Sequence, residues 1–395
     1  NSGTETANQS VSASCLAKME LHYQTEEVIQ HNVHFIFVQS LSELMDYSLV
    51  LFDQVSERYR LHDLVRLFAD VKLGNDERYE TQGRHSWHYC GVLKAADDLY
   101  MTGNDNVLAG LKLFDTERVN IEAGQQWAAG NAEKNERAAG LCNDYPGVGR
   151  YMLAIRQHPL EQIDWLQAAL AAARKLGRQD AEWVHLGNLG IAYKNLGEYR
   201  KAIEYYEQQL TITHEIGDRS GEGNALGNLG NAYWSLGKYR KAIEYHEQAL
   251  TVKREIGDRS SEGKVLTNLG NAYADLGDTH KAISYHEQAL VIRRETGDRK
   301  GEGIDLGNLG NRYSELGEPQ KAIDYYQQAL AIKREIGDVS EQGYTLYNLA
   351  LALDTLGQRS QAIACAEESL KIREQIESPK VEKTRALLAH LRSQQ

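Results

Sequence analysis

Hydrophobic and polar positions follow one pattern that recurs every 40 residues through the second half of the chain. In the copy at residues 218–257, four apolar side chains fall at i, i+3, i+7 and i+10: Leu226, Leu229, Tyr233 and Leu236. This spacing is one apolar stripe on an α-helix. A glycine follows, and a second amphipathic segment then runs to another glycine. Each copy is therefore predicted to be a helical hairpin with a short loop.

Short repeated motifs mark the period. Asn-Leu-Gly begins at 188, 228, 268 and 308, and Asn-Leu-Ala begins at 348. A fixed period of this length predicts a solenoid, in which each hairpin buries its apolar face against its neighbours. The predicted fold is all-α, a right-handed superhelical solenoid of helical hairpins preceded by a divergent helical region. The five predicted units are 188–227, 228–267, 268–307, 308–347 and 348–377.

The flanks of these units extend the array. Residues 148–187 match the spacing of the next copy at several apolar positions and are predicted to be a degenerate repeat. Residues 378–395 are predicted to contain a capping helix with a polar outer face, which a solenoid needs for solubility. Residues 75–147 are predicted to form the divergent helical region. Residues 1–44 show no helical or strand period and stay unassigned, with disorder as one interpretation.

The spacing Leu-Gly-x2-Tyr followed by Ala-x3-Tyr or Ala-x3-His resembles the tetratricopeptide repeat. The unit is 40 residues rather than the usual 34, Leu226 stands where tryptophan is common, and no closing proline is present. The Glu-Ile-Gly-Asp-Arg loop at 215–219 is similar to the longer repeats of kinesin light chains. The resemblance implies a surface that binds peptides through asparagines on its inner curve.

A second resemblance concerns the region before the array. The run from Arg58 to Ala69 is amphipathic from Leu61 onward, and it resembles the last helix of the winged-helix module in bacterial signalling ATPases of the NB-ARC (STAND) class. Residues 45–74 are accordingly predicted to be a winged-helix remnant. In that family the ATPase lies upstream and the repeats sense a ligand. The alternative is that residues 45–130 are a divergent helical cap.

Several function classes are disfavoured. The sequence has no G-x-x-x-x-G-K-[ST] loop to cradle phosphates, so we expect no ATP binding, no other cofactor and no enzymatic activity. A net charge of −12 argues against nucleic acid or an anionic membrane as a partner. Scattered cysteines and the absence of a long apolar run favour a cytoplasmic protein. The His85-x-x-His88-x-Cys90 motif lacks a fourth ligand, so no metal site is predicted.

The candidate binding residues form a polar stripe on the first helix of each copy. In one copy they fall at i, i+4, i+7 and i+11: Asn224, Asn228, Asn231 and Ser235. Their counterparts in the other copies are Asn188, Asn195, Asn268, Asn271, Asp275, Asn308, Asn311 and Asn348. Asparagine disfavours helix by about 0.5 kcal/mol, so this ladder needs a reason. The amides could bind the backbone of an extended peptide. Alternatively they bond to one another or to the neighbouring repeat, or they are copies left by recent duplication.

Positions that differ between copies report on specificity. Trp234 stands where other copies have Lys194 or Ser314, and an exposed tryptophan on a concave face is a candidate hot spot. Its alternative role is helix packing. Arg312 replaces alanine and adds a charge to the groove. The recurring Lys-Arg pairs near 253, 293 and 333 are predicted to be solvated charges that complement the helix dipole.

These observations predict a protein- or peptide-binding scaffold, or the ligand-sensor region of a bacterial signal-transduction protein, with an extended peptide bound in the concave groove. Two alternatives stay open. The chain could be the regulatory portion of a STAND-type ATPase whose nucleotide-binding domain is missing here, or a structural spacer without a ligand.

Overall fold

The computed structural model describes residues 50–53, 58–61 and 74–393. The chain divides into two compact units, residues 1–85 and 86–395. In the first unit, strands β1 (Val50–Asp53) and β2 (Arg58–Leu61) pair antiparallel, with Val50 opposite Leu61. The start of the run that resembles a winged-helix helix is therefore a strand, which suits its alternation of arginine with Tyr59 and Leu61. Residues 62–69 of that run and residues 1–44 lie outside the described residues, so both interpretations stay predictions.

The remaining described residues are almost entirely helical, as the sequence pattern predicts. The helices are α1 (Asn75–Thr102), α2 (Asp105–Asn131), α3 (Glu136–Val148), α4 (Arg150–Arg156), α5 (Pro159–Lys175), α6 (Gln179–Asn195), α7 (Tyr199–Glu215), α8 (Arg219–Ser235), α9 (Tyr239–Glu255), α10 (Arg259–Leu276), α11 (Thr279–Thr296), α12 (Arg299–Glu315), α13 (Pro319–Glu335), α14 (Val339–Thr355), α15 (Arg359–Gln375) and α16 (Val381–Ser393). None of the described helices is both long enough and apolar enough to cross a membrane.

Five hairpins form the array: α6 with α7, α8 with α9, α10 with α11, α12 with α13, and α14 with α15. The second helix of each hairpin packs on the first helix of the next, and the first helices of neighbouring hairpins also contact one another. The first helices therefore lie on the inner side of the stack. The unit boundaries drawn at Asn188 and its counterparts fall inside the first helices, because the chain turns at the Gly-Asp loops rather than at the Asn-Leu-Gly motif.

The loops explain why each helix ends where it does. Glycines between the helices have φ between +65° and +91°, which costs an L side chain energy but not glycine. An aspartate then caps four of the first helices and accepts a hydrogen bond of 2.8–3.2 Å from a backbone N–H three residues later. Such a cap contributes about 1 kcal/mol. The capping residues are Asp218, Asp258, Asp298 and Asp338.

Glycines inside the first helices allow the two helices of a hairpin to approach closely. A Cβ atom at Gly230 would lie 2.5 Å from the imidazole of His246. The same relation holds for Gly270 with His286 and for Gly310 with Tyr326. Close approach is thus the reason for these glycines, since glycine otherwise costs a helix about 1 kcal/mol. The large ring on the second helix fills the space that glycine leaves.

Helices α1 to α5 precede the five hairpins. Their core contains Leu93, Ile121 and Tyr145, and the Tyr145 hydroxyl donates a 2.7 Å hydrogen bond to the Ser86 carbonyl. Helices α3 and α5 pack together and α5 packs on α6, so the array continues backwards as an irregular hairpin interrupted by the short α4.

Helix α16 closes the described part of the array. It packs on α15, and Leu387, Leu388 and Leu391 join the core of the last hairpin. Thr384, on the same face, is also buried and accepts a 2.6 Å hydrogen bond from the Arg373 guanidinium. The predicted capping segment is therefore a helix that has one buried and one polar face.

Candidate functional site

The candidate site lies on the inner side of the array. We use "inner face" for the exposed and half-buried side chains of α6, α8, α10, α12 and α14 along the stripe that contains the five asparagines Asn188, Asn228, Asn268, Asn308 and Asn348. These five asparagines are half-buried in the structure.

Asparagines of neighbouring hairpins bond to one another in three successive steps. The Asn268 amide nitrogen donates to the Asn231 carbonyl oxygen at 3.1 Å. Asn308 donates to Asn271 at 3.3 Å, and Asn348 donates to Asn311 at 3.0 Å. The asparagines therefore do bond to the neighbouring repeat, which was one of the three explanations for the ladder, besides peptide binding and recent duplication. Each amide has two N–H donors and a carbonyl with two lone pairs, so one bond leaves further capacity on every member.

At both ends of the ladder an apolar residue stands in place of an acceptor. Asn228 would need an asparagine at position 191, where the chain has Ile191. At the other end, Leu351 occupies the position equivalent to Asn311. Both apolar side chains are exposed, at 37% and 39% of their full surface. Asn195, the last residue of α6, is exposed and lies beyond the ladder.

Two of the candidate residues are engaged within their own hairpin. The Asn224 side-chain oxygen accepts a 2.8 Å hydrogen bond from the ammonium group of Lys253, which is only 2% exposed. A buried ammonium needs such acceptors, so Asn224 is tied to the second helix. The Ser235 hydroxyl donates to the backbone carbonyl of Asn231 at 3.0 Å and is half-buried.

Trp234 is exposed on the inner face and linked to the next hairpin. Its ring is 43% exposed, and its indole N–H donates a 2.7 Å hydrogen bond to the Asp275 carboxylate. The bond fixes the ring's orientation without burying it. Asp275 is accordingly an orienting partner for the indole as well as an exposed groove residue.

Arg312 is half-buried and pairs with Glu315 at 2.8 Å on the same helix. Asn311 beside it accepts a second hydrogen bond, of 2.8 Å, from the Tyr326 hydroxyl of the second helix. The charge that Arg312 brings to the groove is therefore balanced locally, and the amide next to it is held on two sides.

The prediction for the recurring basic pairs is wrong for one member of each pair. Lys253, Arg293 and Lys333 are 2–5% exposed rather than solvated. Each bonds polar groups at the junction with an adjacent helix. The Arg293 guanidinium, for example, donates to Asp298 at 2.6 Å. The following residues, such as Arg254, are exposed and bridge to the next hairpin, here to Glu262 at 2.8 Å. Consecutive helix positions point about 100° apart, so one faces the junction and the other faces solvent.

Two histidines on second helices, His246 and His286, are fully buried in the hairpin core. Burial lowers the pKa of His246 to about 4, and its Nδ1 atom has no hydrogen-bond partner. His286 instead lies 3.1 Å from the buried carboxylate of Asp305, which also accepts a 2.9 Å hydrogen bond from Thr267. Both rings are positioned by the hairpin core and do not reach the inner face.

The described residues contain no group of three or more His, Cys, Asp or Glu side chains that could hold a metal. In the motif at 85–90, His88 is exposed and stacks edge-on with Tyr89, whereas Cys90 is buried. Burial raises the pKa of the Cys90 and Cys142 thiols to about 12, so neither is an activated nucleophile.

Sequence reasoning missed the apolar members of the inner face. Ile191, Ile304, Tyr344 and Leu351 are each 37–39% exposed on first helices. The sequence contains a signal for them. Asparagine stands at the equivalent of Ile191 and Leu351 in the other copies, and asparagine or lysine stands at the equivalent of Ile304 and Tyr344 in two other copies.

Comparison with known proteins agrees with this architecture. Residues 180–255 and 261–335 match one tetratricopeptide repeat family profile, and residues 343–380 match another. No curated protein sequence matches the chain. Among solved structures, a signal transduction ATPase with numerous domains (STAND) that has a tetratricopeptide repeat sensor, from Pyrococcus horikoshii, aligns with a TM-score of 0.57 and 21% identity. The alignment covers 96% of this chain and 59% of that protein, so the chain spans less than two thirds of its length.

Two further structures share the fold. BtubC (BKLC) from P. vanneervenii aligns with a TM-score of 0.52 and 22% identity over 56% of this chain and 93% of its own. Aspartyl phosphate phosphatase F from Bacillus subtilis aligns with a TM-score of 0.54 and 12% identity over 81% of this chain and 94% of its own. With the profile matches and the five stacked hairpins, these likenesses identify residues 180–380 as a tetratricopeptide repeat array.

Proposed function

We propose that the inner face binds an extended polypeptide segment of a partner protein, and that the chain acts as a scaffold or ligand sensor in signal transduction rather than as a catalyst. The observation that carries the proposal is the three-step asparagine ladder. Bonds between hairpins fix the amides in one orientation before a ligand arrives, which reduces the ordering cost on the protein's side. Unused donors and acceptors remain to meet a peptide backbone.

The binding set includes Trp234 and Arg312 beside the ladder. An aromatic ring that is held by a hydrogen bond but stays exposed offers contact area at a low cost in conformational entropy. Arg312 offers its remaining guanidinium donors next to Asn311. Asn188 and Asn195 extend the surface at its first hairpin, where both are accessible.

A second candidate function is the sensor portion of a larger signalling ATPase. It is favoured by the similarity to the STAND protein, which has a tetratricopeptide repeat sensor, because that similarity extends over 96% of this chain. The two candidates share the same binding surface. They differ in what binding controls, and a nucleotide-binding partner recovered with the chain would favour the second.

The test is a pull-down with the full chain from lysate of the source organism, read by mass spectrometry. The groove variant is Trp234→Ala with Arg312→Ala, and both alanines occur at the equivalent positions Ala274 and Ala272 of another copy. The control is Gln248→Ala, an exposed position on the second helix α9. We expect a partner that wild type and control retain and that the groove variant loses by at least tenfold. Partners that all three proteins retain equally, or none on any, would reject the proposal.

A further inference from the structure

The inner face is apolar at its two ends and polar at its centre. Ile191 and Trp234 lie on the first two hairpins, and Ile304, Tyr344 and Leu351 lie on the last two. The middle helix α10 has Lys264, Asn268, Asn271, Ala274 and Asp275 on the same stripe. The helical period places these residues on one face, because Tyr344 and Leu351 lie four residues before and three after Asn348.

Hairpin packing does not require these apolar residues. The position of Ile304 is Asn224 and Lys264 in other copies, and the position of Trp234 is Lys194 and Ser314. Those hairpins keep the same helix pairs. The exposed isoleucines at helix ends, such as Ile216 and Ile256, are a different class because they follow the repeat: isoleucine stands at this position in four of the five hairpins. Apolar side chains that interrupt the repeat and stay exposed offer contact area to a partner, and one of them, Tyr344, also packs against the Lys380 ammonium, 5.5 Å from its ring centroid.

Charge does not select the partner. The charged side chains on the inner face are nearly balanced in sign: Lys194, Lys264, Lys300 and Arg312, against Asp180, Asp275, Glu315, Glu341 and Asp354. Several are already engaged: Asp275 by Trp234, Arg312 by Glu315, and Asp354 by Arg359 at 3.5 Å. No excess of cations is available to fix a phosphate or a terminal carboxylate. The balance complements a segment that is itself close to neutral.

Building on the proposed function, we infer that the ligand is a net-neutral extended peptide with two apolar anchors, one for Ile191 and Trp234 and one for Ile304, Tyr344 and Leu351. The asparagine ladder between them contacts the peptide backbone. Packed helices lie about 10 Å apart, so two steps from α8 to α12 span about 20 Å. An extended chain advances about 3.3 Å per residue, which separates the anchors by about six residues.

The repeats supply substitutions that should preserve the fold. Asparagine is the residue at the positions equivalent to Ile191, Ile304 and Leu351 in other copies, namely Asn231, Asn224 and Asn311. Ile191→Asn also restores the missing acceptor for Asn228. The test variants are therefore Ile191→Asn, and Ile304→Asn combined with Leu351→Asn. The matched control is Val291→Asn, which changes a 56% exposed apolar residue on the second helix α11.

The experiment is selection of a phage-displayed random 12-residue peptide library on the immobilised full chain, followed by fluorescence anisotropy with the enriched peptides. We expect the enriched peptides to have no net charge and to contain two large apolar residues separated by about six positions. Each test variant should weaken their binding at least tenfold, while Val291→Asn leaves it unchanged. Circular dichroism should give the same helicity for all proteins.

Three results would overturn the inference. Winners with a consistent net charge and no paired apolar residues would replace the neutral ligand by an acidic or basic one and leave the proposed function intact. Apolar winners that bind the test variants as well as wild type would place the anchors elsewhere on the chain. Failure to enrich any sequence above the bare surface would reject peptide recognition itself, and the inference with it.

Discussion

An asparagine on the inner face has two opposite effects on stability. In a helix interior it costs about 0.5 kcal/mol relative to alanine. A hydrogen bond to the next hairpin contributes about 1 kcal/mol net. Asn268, Asn308 and Asn348 make that bond, whereas Asn228 faces Ile191 and does not. The four residues occupy the same position in successive copies. Comparing Asn228 with the other three therefore isolates the contribution of the hydrogen bond between hairpins to stability.

This difference gives a prediction for two single substitutions. Asn228→Ala is expected to leave stability unchanged or raise it by about 0.5 kcal/mol, because only the helix propensity changes. Asn268→Ala is expected to lower stability by about 0.5 kcal/mol, because the loss of the bond to Asn231 exceeds the propensity gain. Urea unfolding followed by circular dichroism measures both. Equal effects of the two substitutions would mean that the bonds between hairpins add nothing to stability.

At the scale of helices, the contact between a mid-helix glycine and a large ring sets the spacing within a hairpin. Gly230 faces His246, Gly270 faces His286, and Gly310 faces Tyr326. The last hairpin has a different pair of residues at this contact: Ala350 and Ala366 stand at the equivalent positions, and both are fully buried. In the last hairpin an alanine on each helix thus replaces the glycine on the first helix and the large ring on the second.

This exchange predicts a compensating pair of substitutions. Gly230→Ala alone places a Cβ atom 2.5 Å from the His246 ring and is expected to cost about 1–3 kcal/mol through overpacking. His246→Ala alone leaves a cavity and is also destabilising. The double variant reproduces the pair found in the last hairpin, so its loss should be smaller than the sum of the single losses. A double-mutant cycle in urea measures the coupling, and strict additivity would show that the two side chains do not compete for the same space.

The sequence specifies the helices well because each signal is local. Apolar periodicity, glycine turns and capping aspartates such as Asp218 and Asp258 are each specified within a few residues, and the helices and glycine turns of the array lie where the pattern predicts them. The partners of the site residues were not predictable in the same way. Lys253 and Arg254 are adjacent and chemically alike, yet only the first is buried, because burial depends on how the next hairpin packs. Asn231 and Asn268 meet only after stacking brings residues 37 positions apart together.

At the scale of the whole array, each hairpin has two neighbours except at the ends, and an end must cover its apolar surface by other means. Helices α1 to α5 precede the first regular hairpin, and α16 covers the last one. On α16, Leu387, Leu388 and Leu391 point into a core that includes Tyr347 and Ala366. The opposite side of α16 is charged and exposed, with Glu382 and Arg385 forming an ion pair at 2.5 Å.

Deletion of residues 379–395 removes α16 and should therefore expose the apolar core of the last hairpin and promote self-association. The exposed core residues would be buried again if the same end of a second copy packed against them, and that surface has a matching shape. Light scattering coupled to size-exclusion chromatography should report a larger mass than the full chain at the same concentration, with thermal stability that rises with protein concentration. The control is Glu382→Ala, which removes the outer ion pair but keeps the leucines and the bridge from Arg385 to Glu374 of α15, and it should behave like wild type. If the deleted chain keeps the mass and melting temperature of the full chain, α16 is not the cap of this array.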